Sequence, residues 1–333
     1  MSQGDGSKAL GLGDPEQRRE ALTRRLLEAG VPQEEIDAVE SVEMLAGFAL
    51  EVALRPPGGV LALDDAAEAA GIDLAKAVQI WRALGFPDPS GALPRIDSGA
   101  TEALRLMRDA SQLLGEPTTI ALARLLGSNT RRIAEAVVDA FRVNFEMPSI
   151  SAGATYAEIV EQYTALSGEL VPRLVDAMGA ILRAHLVAVA SGDWFEEGAG
   201  SPARRHLSVG FVDLVGYTQL SASLTGAELA AVVGRFDELV TDVVGGHGGR
   251  VVKLLGDGAL FVFDRDEDAE RASQELVSRF DAEPGIPQVR VGLSSGAVVS
   301  VHGDYYGDVV NQAARLADAA EPGAVNRNPA PPA

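Results

Sequence analysis

Three short clusters in the second half of the chain hold residue types able to do chemistry. Phe211-Val212-Asp213-Leu214-Val215-Gly216-Tyr217-Thr218 sets a carboxylate at the end of an apolar run, just before a helix start. Lys253-Leu254-Leu255-Gly256-Asp257-Gly258 sets a second carboxylate at the tip of a hairpin. Asp304-Tyr305-Tyr306-Gly307-Asp308-Val309-Val310-Asn311-Gln312-Ala313-Ala314-Arg315 places Asn311 and Arg315 four residues apart, on one helix face. Two carboxylates at strand ends of one sheet can hold a pair of Mg²⁺ ions, and such a pair clamps a phosphoryl group for in-line displacement. An arginine on a rigid helix can stabilise charge developing on that phosphorus. A lysine is a point donor suited to one acceptor atom such as a purine ring nitrogen, and a nearby Asp can accept from an exocyclic amine. Singly, each residue has a plainer reading. An Asp at a strand end commonly caps a helix or forms a turn, Gly-Asp-Gly is commonly only a hairpin turn, and Asn311 and Arg315 would be ordinary surface residues. In this order and spacing they argue jointly for a phosphate-handling site.

The composition narrows the field. The chain has 333 residues, enough for two domains at about 150 residues each. Hydrophobic residues make up 47%, so sizeable cores can form. The net charge is −20, which argues against a nucleic-acid footprint and makes metals essential to any triphosphate site. The absence of cysteine excludes disulfides, Cys-ligated zinc and a thiol nucleophile. No apolar run reaches the length of a transmembrane helix, since Asp176, Arg183 and His185 break the best candidate, Leu174 to Ala190. The polar, Gly-rich start has no signal-peptide core, and the expectation is a soluble cytoplasmic protein. The lysines are Lys8, Lys76 and Lys253 alone, all other basic residues being Arg. Lys253 therefore marks a position that needs lysine.

The elements that must position these residues come in two blocks. Residues 1–14 read as a loose tail. Residues 15–191 read as an all-α domain, with apolar residues at three- and four-residue steps such as Leu104, Met107, Ala110 and Leu114. Breaks are expected at Pro56-Pro57-Gly58-Gly59, Pro87-Asp88-Pro89, Gly115-Glu116-Pro117, Gly127-Ser128-Asn129 and Met147-Pro148. One or two longer helices span 158–191, and 192–205 is a Gly/Ser/Pro/charge linker. From His206 the pattern switches to strands. Leu207–Asp213 alternates, Val251–Leu255 and Ala259–Phe263 flank the Gly-Asp-Gly turn, and Val289–Leu293 and Ala297–Val301 flank Ser294-Ser295-Gly296. With helices at 228–244, 266–280 and 308–320, the second block is an antiparallel α+β sheet with helices on one face.

The three clusters together resemble the catalytic domain of class III nucleotidyl cyclases, the adenylate and guanylate cyclases, over residues 206 to about 324. That resemblance implies an α/β-sandwich cyclase domain. It implies Asp213 and Asp257 as ligands of Mg²⁺ or Mn²⁺, two ions per active site. Lys253 and Asp304 become readers of adenine, Asn311 orients the ribose, and Arg315 acts on the transferring phosphate. Guanylate cyclases typically replace that Lys and Asp, so the substrate implied is ATP and the products 3′,5′-cyclic AMP and pyrophosphate. It also implies a head-to-tail homodimer. One chain supplies Asp213 and Asp257, and the other supplies Lys253, Asp304, Asn311 and Arg315.

Residues 61–89, with Ala66-Ala67-Glu68-Ala69-Ala70-Gly71 and Trp81-Arg82-Ala83-Leu84-Gly85-Phe86-Pro87, resemble the helical regulatory domain found before some actinobacterial cyclases. That family's domain is associated with autoinhibition and a pH response. His185 and His206 flank the linker and could join such a switch. The same stretch also looks like a helix-turn-helix, but residues 73–82 offer only Lys76 and Arg82 as cations. After Pro322-Gly323 the family pattern would continue for about 50 residues of ordinary elements, whereas this chain runs through three prolines and stops. The expectation is a cyclase domain incomplete at its C-terminus, with 325–333 a disordered tail. The rival reading is a catalytically silent cyclase-like regulator that dimerises or binds nucleotide.

Overall fold

Proline, acidic side chains and glycine punctuate the first block into helices. The computed structural model describes residues 14–54, 60–87, 96–154, 156–193 and 204–328. The chain divides into two units, Met1–Gly192 and Asp193–Ala333.

The first unit is helical. In order come α1 (Pro15–Glu28), α2 (Gln33–Asp37), α3 (Val42–Leu54), α4 (Leu63–Ala70), α5 (Leu74–Ala83), α6 (Ser98–Leu114), α7 (Glu116–Phe141), α8 (Met147–Ser151) and α9 (Tyr156–Asp193). A two-residue ribbon pairs β1 (Val60–Leu61) with β2 (Ile96–Asp97). Gly71 closes α4 in the left-handed conformation, and the Asp73 side chain accepts from the Lys76 N–H to start α5. Arg105 and Arg108 of α6 then donate to the last carbonyls of α4, Ala69 and Ala70, satisfying groups the helix end leaves open. One core gathers Leu63, Ala66, Ala70, Ala77, Ile80, Leu104 and Ile120, and another Leu22, Leu26, Ile36, Leu45 and Phe48.

Two expected breaks fall differently. Gly127-Ser128-Asn129 lies inside α7. Gly127 sits where a Cβ would stand 2.3 Å from the Leu84 carbonyl, and the side chains of Ser128, Asn129 and Thr130 donate back to the preceding turn's carbonyls. The small residue serves helix packing there, and the polar ones are satisfied within the helix. At Met147-Pro148 the chain does not stop but widens into a π-turn, Arg142–Glu146, before α8. Proline lacks the N–H that a regular α-helical bond requires.

The second unit is built on a mixed sheet. Its strands are β3 (Arg204–Leu214), β4 (Arg250–Leu254), β5 (Gly258–Phe263), β6 (Val289–Val301), β7 (Asp304–Tyr306) and β8 (Val325–Arg327), and its helices α10 (Tyr217–Ser221), α11 (Gly226–Gly246), α12 (Asp266–Ala282) and α13 (Asp308–Asp318). The order is β4-β5-β3-β6-β7, antiparallel throughout, with β8 added parallel to β6. A Thr225–Glu228 capping box starts α11. Phe236, Leu239, Val240, Val243 and Val244 of α11 and Ala272, Leu276 and Phe280 of α12 pack on Val212, Leu214, Phe261, Val291 and Leu293.

Three expectations are corrected in this unit. Helices cover both faces rather than one. Val291 and Leu293 point to α11 and α12, so Gly292 points the other way, and an added Cβ there would stand 2.1 Å from the Ala317 N and 2.2 Å from the Ala313 carbonyl of α13. Glycine lets α13 lie directly on the strand. Ser294-Ser295-Gly296 is not a turn, since β6 runs unbroken and pairs with the whole of β3. The serine hydroxyls that suggested a turn are used across the sheet, Ser294 to Gln312 and Ser295 to Asp266. Finally, residues 325–327 form β8 rather than beginning a tail. The prolines that argued against a strand start at 329, outside the described residues.

Candidate active site

The first two clusters meet at one end of the sheet. Asp213, next to last in β3, lies in register between Gly258 of β5 and Arg290 of β6. The Leu214 N–H donates to the Asp257 carbonyl at 2.8 Å, and the Leu255 N–H to the Gly258 carbonyl at 2.7 Å. Gly256, at φ +87°, closes the β4–β5 turn in a conformation that favours glycine. The turn is thereby tied to the end of β3, and Asp257 becomes the neighbour of Asp213. Burial pushes the Asp213 carboxyl above its ordinary range, and the negative charge of Asp257 pushes the same way. Hydrogen bonds and charge from Arg290 oppose both. Arg290 Nε donates to Asp213 Oδ2 at 2.9 Å, and Nη2 lies 2.7 Å from the same oxygen as an ion pair.

Arg290 is absent from the sequence reading. Its signal was present: a charged residue between Val289 and Val291 in an apolar strand. Only the strand register reveals that it stands opposite Asp213.

The third cluster approaches β4 from the far edge. The Lys253 ammonium and Asp304 Oδ2 are 2.5 Å apart. Beside them, Arg250 donates to the Tyr305 hydroxyl, with its guanidinium carbon 5.5 Å from that ring's centroid. The edge strands β4 and β7 thus meet over a small core of Leu207, Val209, Leu260, Val262, Val298 and Tyr305. Burial pushes the Asp304 carboxyl up, but bonds from Lys253, the Tyr305 N–H and Tyr306 outweigh it, and the group lies below its ordinary range.

On α13, Ala313 and Ala317 are buried, and Asn311 and Arg315 lie exposed on the other side. Arg290 Nη1 donates to the Asp318 carbonyl at 2.9 Å, so the helix end is tied to the Asp213 corner.

The donor set suits a hard divalent cation. Asp213 and Asp257 offer oxygen only, and their paired negative charge is opposed by one guanidinium. Among the described residues no group of three or more His, Asp or Glu could hold a metal. The remaining ligands would be water and substrate phosphates, as is usual for Mg²⁺.

The other expected features disperse. His185 and His206 are both exposed. His206 is close enough to Asp266 for its charge to favour the carboxylate form, and His247, at the end of α11, has its Nε2 2.8 Å from Glu275 Oε2 of α12. In the stretch that looked like a helix-turn-helix, Lys76 pairs with Glu116 at 2.6 Å, which takes one of its two cations. Among the described residues no helix is long and apolar enough to cross a membrane.

Comparison with known proteins covers both units. Residues 10–189 match the adenylate cyclase regulatory domain, and residues 201–329 match the adenylate and guanylate cyclase catalytic domain. An uncharacterised protein of Mycobacterium tuberculosis is 34% identical over 96% of this chain and 84% of its own length. An adenylate cyclase of Streptomyces coelicolor is 34% identical over 82% of this chain and 73% of its own length. A pH-sensitive adenylate cyclase of Mycobacterium tuberculosis is 28% identical over 92% of this chain and 77% of its own length.

Proposed function

The chain belongs to the adenylate and guanylate cyclase family, as a catalytic domain preceded by an adenylate cyclase regulatory domain, and on that premise we propose that it is an adenylate cyclase. The observation that carries this reading is the meeting of Asp213 and Asp257 at one corner of the sheet, where a turn and a strand end are hydrogen-bonded together. Two divalent cations bound there would supply charge neutralisation to the triphosphate and activation of the attacking hydroxyl. The 3′-hydroxyl oxygen of ATP forms a bond to the α-phosphorus, the bond to the bridging oxygen of the β-phosphate breaks, and pyrophosphate departs. The hydroxyl proton passes to solvent.

The chain's own residues do the rest. Lys253 offers a donor and Asp304 an acceptor side by side, matching the ring nitrogen and exocyclic amine of adenine and mismatching the guanine edge. Asn311 orients the ribose. Arg315, exposed on a helix seated directly on the sheet, stabilises charge on the transferring phosphate.

We place the complete site at a head-to-tail homodimer interface, with the carboxylates from one protomer and Lys253, Asp304, Asn311 and Arg315 from its partner. The pairing of Lys253 with Asp304 inside one chain supports keeping those two on the same side. The helical unit is proposed as the element of control, with a pH response as the first form to test, in line with the description of the mycobacterial relative.

The test is cyclic AMP formation from ATP with Mn²⁺ by the purified chain, at mildly acidic and mildly alkaline pH, with Asp257→Ala as control. Product that disappears in the variant supports the reading. A folded, dimeric chain that binds ATP without making product would overturn it in favour of a silent cyclase-like regulator.

A further inference from the structure

Lys253 and Asp304 come from strands at the two ends of the strand order, β4 and β7. β7 is three residues long and pairs with Val299–Val301 at the end of β6. It follows a two-residue turn in which His302 (φ +53°) and Gly303 (φ +82°) both stand at positive φ. Asp304 is the first residue after that turn. In the free chain Lys253 and Asp304 satisfy each other, 2.5 Å apart. A bound base would take the donor and the acceptor for itself. The two groups must then stay side by side without their direct bond, so another contact has to fix their spacing.

A second pair crosses between the same two strands. Arg250 of β4 donates to the Tyr305 hydroxyl, and its guanidinium carbon lies 5.5 Å from the ring centroid, within range of cation–π attraction. Tyr305 follows Asp304 in the chain, and its N–H donates to Asp304 Oδ1 at 2.9 Å. Tyr305 is also buried, in the small core with Leu207, Leu260, Val298 and Ala313. The anchor beside Asp304 is therefore a fixed one.

A β-bulge brings Arg250 and Lys253 to one face. The β4–β5 register passes from Val251–Phe261 to Lys253–Leu260, which leaves Val252 as an extra residue. In a regular strand, residues three apart face opposite sides. Here Val251 and Leu254 both pack on the core beneath α11 and α12. Arg250 and Lys253 take the other face, opposite Val262 and Leu260, which share the small core with Tyr305. A strand without Val252 would turn one of the two cations to the apolar side.

We propose that Arg250 is a positioning residue that sets base specificity: through Tyr305 it fixes Asp304 at the spacing from Lys253 that fits adenine, and so maintains the preference for adenine over guanine nucleotides. The inference rests on the reading of Lys253 and Asp304 as the base-facing pair. Guanine presents an acceptor where adenine has its amine, and a fixed Asp304 rejects it. A carboxylate free to shift gives up that rejection together with its bond to the amine.

The experiment titrates the full chain by calorimetry, with Mn²⁺, using α,β-methylene ATP and α,β-methylene GTP, neither of which can be cyclised. The quantity read is the ratio of the two affinities. Arg250→Leu should lower the ratio by about tenfold, roughly the contribution of one hydrogen bond to a charged group. Arg250→Lys keeps a cation over the ring and should recover part of that loss. Tyr305→Phe keeps the ring, loses the hydroxyl and should lower the ratio by a smaller factor. This variant keeps the test decisive should Arg250→Leu fail to fold. A general loosening of the fold weakens both nucleotides alike and leaves the ratio alone. Folded Arg250→Leu and Tyr305→Phe chains with the wild-type ratio overturn the inference. Lys253→Ala separates the two levels. If the wild-type chain prefers neither nucleotide, or Lys253→Ala keeps the wild-type preference, the base reading falls and Arg250's role with it. If Lys253→Ala abolishes the preference while the Arg250 and Tyr305 variants keep it, only the Arg250 inference falls.

Discussion

Replacing Gly292 with alanine should lift α13 off the sheet and carry Asn311 and Arg315 with it. The added methyl would stand 2.1 Å from the Ala317 N, 2.2 Å from the Ala313 carbonyl oxygen and 2.7 Å from the Leu316 carbonyl carbon, where ordinary contact begins at 3.4 Å. All of these are backbone atoms of one helix, so no side chain can swing aside. The helix must rise as a body, and the shortfall from ordinary contact sets the scale at roughly 1 Å, a displacement able to cost on the order of a hundredfold in rate when it misplaces reacting groups. Overpacking of this kind destabilises by about 1–3 kcal/mol, which a domain of ordinary stability, about 5–15 kcal/mol, survives. The variant should therefore stay folded while its turnover collapses. Urea unfolding followed by circular dichroism reads the first quantity, and cyclic AMP formation at saturating ATP and Mn²⁺ reads the second. Gly234→Ala is the matched control. It lies inside α11 with nothing within 4 Å of its added methyl, and it should stabilise by about 0.5–1 kcal/mol through helix propensity. A Gly292→Ala chain with wild-type turnover would refute the claim that the seat of α13 sets the position of Arg315.

Mixing Asp257→Ala and Arg315→Ala chains, each inactive alone, should restore about one quarter of wild-type activity, because in a head-to-tail pair half the dimers are mixed and each mixed dimer keeps one intact site; no recovery on subunit exchange would exclude the shared-site arrangement. Ile80→Ala removes a fully buried side chain from the first unit's core and should cost about 2–5 kcal/mol, read as a lowered urea midpoint. Asp266 accepts from Ser208 and Ser295, and these bonds, the Ser208 bond foremost, hold its carboxyl below the ordinary range against the opposing effect of burial. A lowered carboxyl stabilises the fold above its unfolded pKa, and that contribution is lost as the pH falls through the folded value. The double variant Ser208→Ala/Ser295→Ala should then be less stable than wild type at pH 7, with the gap in urea midpoint narrowing below about pH 4, the ordinary carboxylate range. A gap that stays constant into acid would show that the serines stabilise by packing alone.

What could be read in advance, and what could not, follows from the range of the signals. The Gly256-Asp257-Gly258 turn and the helical spacing of Asn311 and Arg315 are local, and the chain places both as their spacing requires. Ser294-Ser295-Gly296 misleads because its composition is that of a turn while its hydroxyls find partners on α12 and α13, and tertiary satisfaction overrides local preference. Gly127 misleads for a related reason. A glycine inside a helix suggests an end, and nothing in the adjacent sequence announces that the Leu84 carbonyl will press against it. Residues 325–327 form a strand because β6 offers them a free edge, with Val325 beside Val291, although the prolines that follow argue against one. Arg290 is the case that matters for chemistry. Its partner, Asp213, is 77 residues away, and only the pairing of β3 with β6 brings them opposite each other. A slip of one residue in that pairing would turn Arg290 to the apolar face of α11 and α12. There Val289 and Val291 now lie fully buried, and an unpaired guanidinium would be costly. The hydrophobic alternation of β6 therefore sets the register, and the register gives the Asp213 corner its guanidinium. The partner of Asp213 is placed by the packing of a core on the opposite face of its strand.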